Sequence, residues 1–360
     1  MASTLGFSLR EDGSAQLEQD EHGDGRRARW RRRTRARQIA YVVAPGHSPD
    51  ERSPLKRLKS CGRAKAPDVT IRVHNSHAHA SGLMACGSIW ACPTCSARIR
   101  ARRELELEAA LREHCSSGGR ISMITLTMRH TKDQRLADLI DSLNDAWRRT
   151  QRHRRFRRHL APLLTGTVAT LEVTLGENGW HPHLHVLLLE GCDTNPTAVQ
   201  AAAEHLRALW SRNANARSDR WTLAYGFKHT AFGHDSARAA RYVTKIAKEL
   251  TLADTKSGRD PFTLLDNHDA SNTALFIEYA TATHGRQCHR WSAGLRRALT
   301  MDTEQTDEQL AQENAEVGIA VLTLSRELWN SLTDAERLDW IEWAEAYHRT
   351  RPAPELRSSA

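Results

Sequence analysis

Gly179-Trp180-His181-Pro182-His183-Leu184-His185-Val186-Leu187-Leu188-Leu189 sets three histidines at alternate positions and runs on into an apolar stretch. Side chains alternate faces along a strand, so His181, His183 and His185 point one way while Leu184, Val186 and Leu188 point the other. Imidazoles fixed on rigid sheet can hold a divalent ion against a phosphate or a water. Upstream, Thr167 to Leu175 reads as a strand, and Asn178-Gly179 is the pair favoured in two-residue hairpin turns. With those two residues as the turn, Glu172 lies opposite His185, on the histidine face. A carboxylate beside two imidazoles suits manganese or magnesium better than a structural zinc. A one-residue bulge would turn Glu172 to the other face and leave His181 as the third ligand.

The chain has 360 residues and a formal net charge of +9, which points to a polyanionic partner, nucleic acid first. It holds no apolar stretch of about 18 residues and no charged-then-apolar leader, so a cytoplasmic protein without a membrane span is expected. Residues 1–55 are polar, an acidic stretch followed by the block Arg26-Arg27-Ala28-Arg29-Trp30-Arg31-Arg32-Arg33, and read as a disordered arm. A second basic run spans Arg148 to Arg158, after a helix whose apolar positions Leu136, Leu139, Ile140, Leu143 and Trp147 keep helical spacing. Arg148, Arg149, Arg154 and Arg155 are its candidate phosphate contacts.

Residues 56–115 carry Cys92-Pro93-Thr94-Cys95 with Cys86 and Cys61 upstream. Two thiolates separated by two residues grip one tetrahedral zinc from a tight turn, and Cys86 and Cys61 can complete the set. His74, His77 and His79 are substitutes for either distant cysteine. Cys115, Cys192 and Cys288 have no partners nearby in sequence.

Residues 116–300 read as a second region, with a strand at Ile121 to Met128, a helix over about 132–152, the histidine hairpin and a helix over about 196–212. The order fits an α+β fold: a β-α-β-β-α-β antiparallel sheet with helices on one face and the other free for a substrate strand. A helix from Ser236 to Leu250 carries Tyr242 and, three residues on, Lys245. Tyrosine attacks a metal-polarised phosphate, and a nearby lysine stabilises the charge. Residues 301–360 are acidic and read as helical, with a capping box at Thr333-Asp334-Ala335-Glu336 and with Trp329, Trp340 and Trp343 in a small core or a partner surface.

Ile124-Thr125-Leu126-Thr127, then His181-Pro182-His183-Leu184-His185, then Tyr242-Val243-Thr244-Lys245, in this order, resemble the three motifs of rolling-circle replication initiators of the HUH endonuclease superfamily. The cysteine segment and the stretch from Gly285 to Arg296 are similar to initiators from plasmids and integrative elements of high-GC bacteria. The resemblance implies a ferredoxin-like palm and a reaction. His183 and His185 hold a divalent ion, and Tyr242 attacks the scissile phosphate to leave a 5′-phosphotyrosine link and a free 3′-hydroxyl. Its implied partners are single-stranded or cruciform origin DNA and a host helicase and polymerase. Relatives with one tyrosine often carry a glutamate four residues before it, where this chain has Arg238. Relaxases, another branch, place the nucleophile ahead of the histidines. The remaining alternatives are a transposase with the same chemistry and a non-enzymatic zinc-dependent DNA-binding regulator.

Overall fold

The histidine run is an interior strand of an antiparallel sheet. The computed structural model describes residues 7–9, 15–17, 24–43, 55–214, 226–240, 258–301, 303–312 and 316–350. In chain order the first elements are β1 (Phe7–Leu9), β2 (Ala15–Leu17), α1 (Asp24–Val43), β3 (Asp68–His74), β4 (His77–Ser81) and α2 (Pro93–Ser116). Then come β5 (Arg120–Leu126), α3 (Leu136–Arg152), β6 (Leu164–Gly176), β7 (Gly179–Glu190), α4 (Pro196–Ala214) and β8 (Phe227–Gly233). The last are α5 (Ala270–Thr283), β9 (His289–Trp291), α6 (Leu295–Ala298), α7 (Asp307–Gln312), β10 (Ile319–Ser325), α8 (Arg326–Ser331) and α9 (Asp334–Thr350). Two units form from these: residues 100–304, and residues 1–99 with 305–360. The sequence-based divisions fall near 55, 115 and 300, whereas the units meet at 99/100, inside α2, and at 304/305.

In unit 100–304, β5-α3-β6-β7-α4-β8 is the β-α-β-β-α-β order read from sequence. Among the described residues its sheet runs β8-β5-β7-β6-β9, with every neighbouring pair antiparallel. Interior position explains why Leu184 and Val186 to Leu189 are wholly buried and read as a continuous apolar run. On the face away from the histidines, α3 buries Leu139, Ile140, Leu143 and Trp147. Arg290, on that face through its pairing with Ala169, donates from Nη2 to Asn144 Oδ1 of α3 at 2.6 Å.

The histidine face is not free throughout, which corrects the expectation of helices on one face. Its apolar half, Ile121, Met123, Val168, Leu187 and Leu189, packs against Leu107 and Leu111 of α2 and against Leu295 and Leu299. Face parity gives the reason, because the strand that carries histidines at 181, 183 and 185 carries leucines at 187 and 189. One face is polar at one end and core at the other.

The other unit holds a three-stranded antiparallel sheet, β10-β3-β4. Its core joins Val69, Ile71, Val73, Ala78, Ala80 and Leu324 to Trp329, Ile341 and Ala344. Two expectations are corrected here. The carboxy-terminal region is not purely helical: Ile319-Ala-Val-Leu-Thr-Leu-Ser325 is rich enough in β-formers to pair with β3. The basic block is not a disordered arm over 24–43, because α1 buries Ala36, Ile39 and Ala40 and lays Trp30 against the core. Its arginines meet acids of α9: Arg26 pairs with Glu345 at 2.7 Å, and Arg27 with Asp339 at 3.1 Å and with Glu342. The expected capping box is present, with Thr333 N donating to Glu336 Oε2 at 2.7 Å and Glu336 N to Thr333 Oγ1 at 3.3 Å. Trp329 is fully buried, whereas Trp340 and Trp343 are exposed.

Candidate active site and metal centres

Glu177 and Asn178 form the turn between β6 and β7, with Gly176 paired to Gly179. This corrects the Asn178-Gly179 turn. Neither Glu177 nor Asn178 has a positive φ, while Gly179 takes φ +87°, the pattern of an ordinary turn followed by a left-handed glycine. A Cβ on Gly179 would lie 3.0 Å from Lys132 Cα, so the close approach requires glycine. The register moves by two residues, and Glu172 faces His183 rather than His185. A shift of two preserves parity, so Glu172 stays on the histidine face.

Glu172, His183 and His185 present ligand atoms that all lie within 4.8 Å of one another. His185 Nε2 donates to Glu172 Oε2 at 2.7 Å, and Thr125 Oγ1 lies 3.2 Å from His185 Nδ1. His183 Nε2 is buried and makes no hydrogen bond among the described residues. Burial, then His181 and His185, push the His183 imidazole well below its usual range, which leaves it neutral and able to ligate. An oxygen and two imidazole nitrogens are a donor set for a hard to borderline divalent ion. The residues present therefore fit such an ion.

His181 is outside this group and stacks on His183, with ring centroids 4.0 Å apart. His130, which sequence reading missed, lies against His181 with ring centroids 4.5 Å apart and the rings tilted by 46°. Thr170, opposite His185, lies 2.7 Å through Oγ1 from His289 Nδ1. The only sequence signal for His289 was its place in the Gly285 to Arg296 stretch; His130 had none beyond its nearness to the β5 motif.

Tyr242 and Lys245 lie outside the described residues, as does Tyr225. Tyr279 is described: it is buried, stacks on Trp180 at 5.9 Å, and burial raises its hydroxyl far above the usual phenol range. It has no access to a phosphate. Arg148 and Arg149 end α3, where Arg148 pairs with Asp145 and Arg149 Nη2 donates to Asn213 O at 2.9 Å. Arg154 and Arg155 are exposed just beyond. These arginines lie at and just beyond the end of α3, which packs on the face opposite the histidines.

Cys61, Cys86, Cys92 and Cys95 form a second buried group. Cys61 Sγ is 3.7 Å from the sulfurs of Cys92 and Cys95, and Cys86 Sγ is 3.7 Å from that of Cys95. Four sulfurs bound at about 2.3 Å to one tetrahedral ion lie about 3.8 Å apart. The group therefore fits a zinc-sized ion. Cys92 directly precedes α2 and Cys95 lies in its first turn, where backbone N–H groups favour thiolate. His74, His77 and His79 are not part of the group.

Residues 83–191 match the family described as replication protein. The chain is 30% identical over 300 residues to a protein of Streptomyces lividans called "Protein rep", covering 63% of this chain and 66% of that protein. It is 33% identical over 187 residues to a Streptomyces cyanogenus protein called "Neomycin resistance protein", covering 43% of this chain and 42% of the relative. The matches thus span just under two thirds of the first relative and less than half of the second. No solved structure matches the chain. Among the described residues no helix is long and apolar enough to cross a membrane.

Proposed function

We propose, from the match of residues 83–191 to the replication-protein family, that the chain is a rolling-circle initiator of the HUH type that nicks single-stranded or hairpin origin DNA. The observation that carries the reading is the convergence of Glu172, His183 and His185 on one face of paired antiparallel strands. Manganese or magnesium held there would polarise the scissile phosphate and offset the charge that develops on it. Thr125 positions His185 through Nδ1. Its hydroxyl can donate to a bare nitrogen or accept from N–H, so it supports either tautomer.

Tyr242 supplies the nucleophile: its oxygen bonds to phosphorus, the phosphorus bond to the 3′ oxygen breaks, and that oxygen leaves as a hydroxyl after taking up a proton. Lys245 steadies the phenolate and phosphate charge. Arg148, Arg149, Arg154 and Arg155 contact flanking phosphates, and a tetrathiolate zinc at Cys61, Cys86, Cys92 and Cys95 holds its segment folded. A host helicase and polymerase use the freed end in the bacterial cytoplasm.

Cleavage of single-stranded origin oligonucleotides by the full chain, with manganese or magnesium and with chelator, tests the proposal. Cleavage that requires the ion and disappears in His185→Ala is expected. Origin binding with no cleavage under any divalent ion would overturn it in favour of a DNA-binding regulator.

A further inference from the structure

Three arginines converge on one carboxylate next to the four cysteines. Asp334 Oδ1 lies 3.1 Å from Arg33 Nη2, 3.5 Å from Arg37 Nη1 and 2.7 Å from Arg337 Nη1. Thr34 Oγ1 donates to Asp334 Oδ2 at 2.6 Å. The Arg33, Arg337 and Asp334 side chains are 5%, 4% and 6% exposed. Guanidinium groups keep their charge in proteins, so three against one carboxylate leave a surplus of positive charge, with Arg33 and Arg337 buried and Arg37 16% exposed. A buried surplus of that kind is strongly unfavourable unless an anion faces it.

The group that faces it is the cysteine cluster. Burial opposes the charge on Arg33, while Asp334 and, after it, Cys61 and Cys92 favour it. The guanidinium lies against Gly62, the residue after Cys61: a Cβ at Gly62 would sit 2.8 Å from Arg33 Nη1 and 2.9 Å from its Cζ. Gly62 has φ +79°, and its carbonyl accepts from Trp329 Nε1 at 3.0 Å, tying the cysteine loop to the same cluster. One divalent ion with four thiolates carries a net charge of minus two. Such a group and the arginine cluster would be opposite in sign.

We propose that Arg33, backed by Arg37 and Arg337, is the charge partner of a divalent tetrathiolate, so that metal loading and docking of α1 onto α9 form one linked equilibrium. The inference rests on the metal reading of the four cysteines given under Proposed function. It assigns the basic block of α1 a metal-supporting role in place of a free nucleic-acid arm.

Zinc content of the freshly reduced full chain is measured first; a chain without metal would overturn the metal reading and this inference with it. Zinc affinity is then read by chelator competition for the parent, Arg33→Met and Asp334→Asn. Arg33→Met is expected to weaken zinc by about 10- to 100-fold, the usual effect of removing a partner of a ligand. Asp334→Asn is expected to weaken zinc less than Arg33→Met does, because Arg33 keeps its charge beside the cysteines while only the contact of α1 with α9 is loosened. Chelation is expected to speed amide hydrogen exchange across 24–43. An Arg33→Met affinity within about twofold of the parent, a loss in Asp334→Asn equal to that in Arg33→Met, or exchange in α1 indifferent to chelation would each overturn the proposal. If Arg33→Met does not fold, the exchange measurement decides it.

Discussion

At the scale of single residues, His185 is the most constrained of the three site groups. Both its nitrogens have partners, Glu172 on one side and Thr125 on the other. His183→Ala or His185→Ala should lower divalent-dependent cleavage by at least about 100-fold while origin binding persists, as gel-shift and cleavage assays on one preparation would show. Thr125→Val should raise the metal concentration for half-maximal cleavage by about 10- to 100-fold, and Glu172→Gln should raise it too. An unchanged metal requirement in both would remove the third ligand and its support. The stacked histidines add a pH signature. Burial first, and His130 second, push His181 down to about 4 from an ordinary 6.5. As pH falls through that window the unfolded chain takes up a proton that the folded chain refuses, so stability present above 6.5 is lost toward 4. Urea midpoints should therefore fall across the window in the parent and fall less in His181→Gln; equal falls would contradict the assignment. The histidine face was legible in the sequence because alternation is a local property. The contact of His130 with His181 was not, since it depends on where the loop after β5 returns.

At the scale of elements, the β6–β7 hairpin shows which part of a register a sequence specifies. The Asn-Gly pair marked the turn, but the close approach of Gly179 to Lys132 moved it by one residue and the pairing by two. Parity alone decided the site, and it survived. Gly179→Ala should destabilise the fold by about 1–2 kcal/mol from the left-handed backbone alone, and by more through the contact with Lys132. Gly285→Ala is the control, with φ +71° and nothing within 4 Å of the added Cβ. Equal losses in chemical denaturation would show that the contact carries no cost. By contrast, β10 and α1 were misread for a common reason. Each finds its partner far away in sequence, β3 for one and α9 for the other, so composition over a local window reported only polarity.

At the scale of the whole molecule, the formal charge of +9 overstates what is available to nucleic acid. Arginines of α1 are engaged with acids of α9, whereas Arg152, Arg154, Arg155, Arg157 and Arg158 are exposed. Arg154→Ala with Arg155→Ala should weaken single-strand binding and flatten its salt dependence by about 0.7 per lost phosphate contact; an unchanged slope would place the DNA elsewhere. The order β-α-β-β-α-β and the two metal-ligand groups were legible from motif spacing. The division into two units was not, because residues 305–360 return to the amino-terminal unit. The central claim is that the three ligands on the sheet serve a tyrosine nucleophile at position 242. Its most direct measurement is peptide mass mapping of the protein–DNA adduct formed on a single-stranded origin oligonucleotide with manganese, for the parent and for Tyr242→Phe. The account predicts a 5′-linked nucleotide on Tyr242 in the parent, and neither adduct nor nicking in a folded, origin-binding Tyr242→Phe chain. An adduct on another residue, or full nicking by Tyr242→Phe, would contradict it.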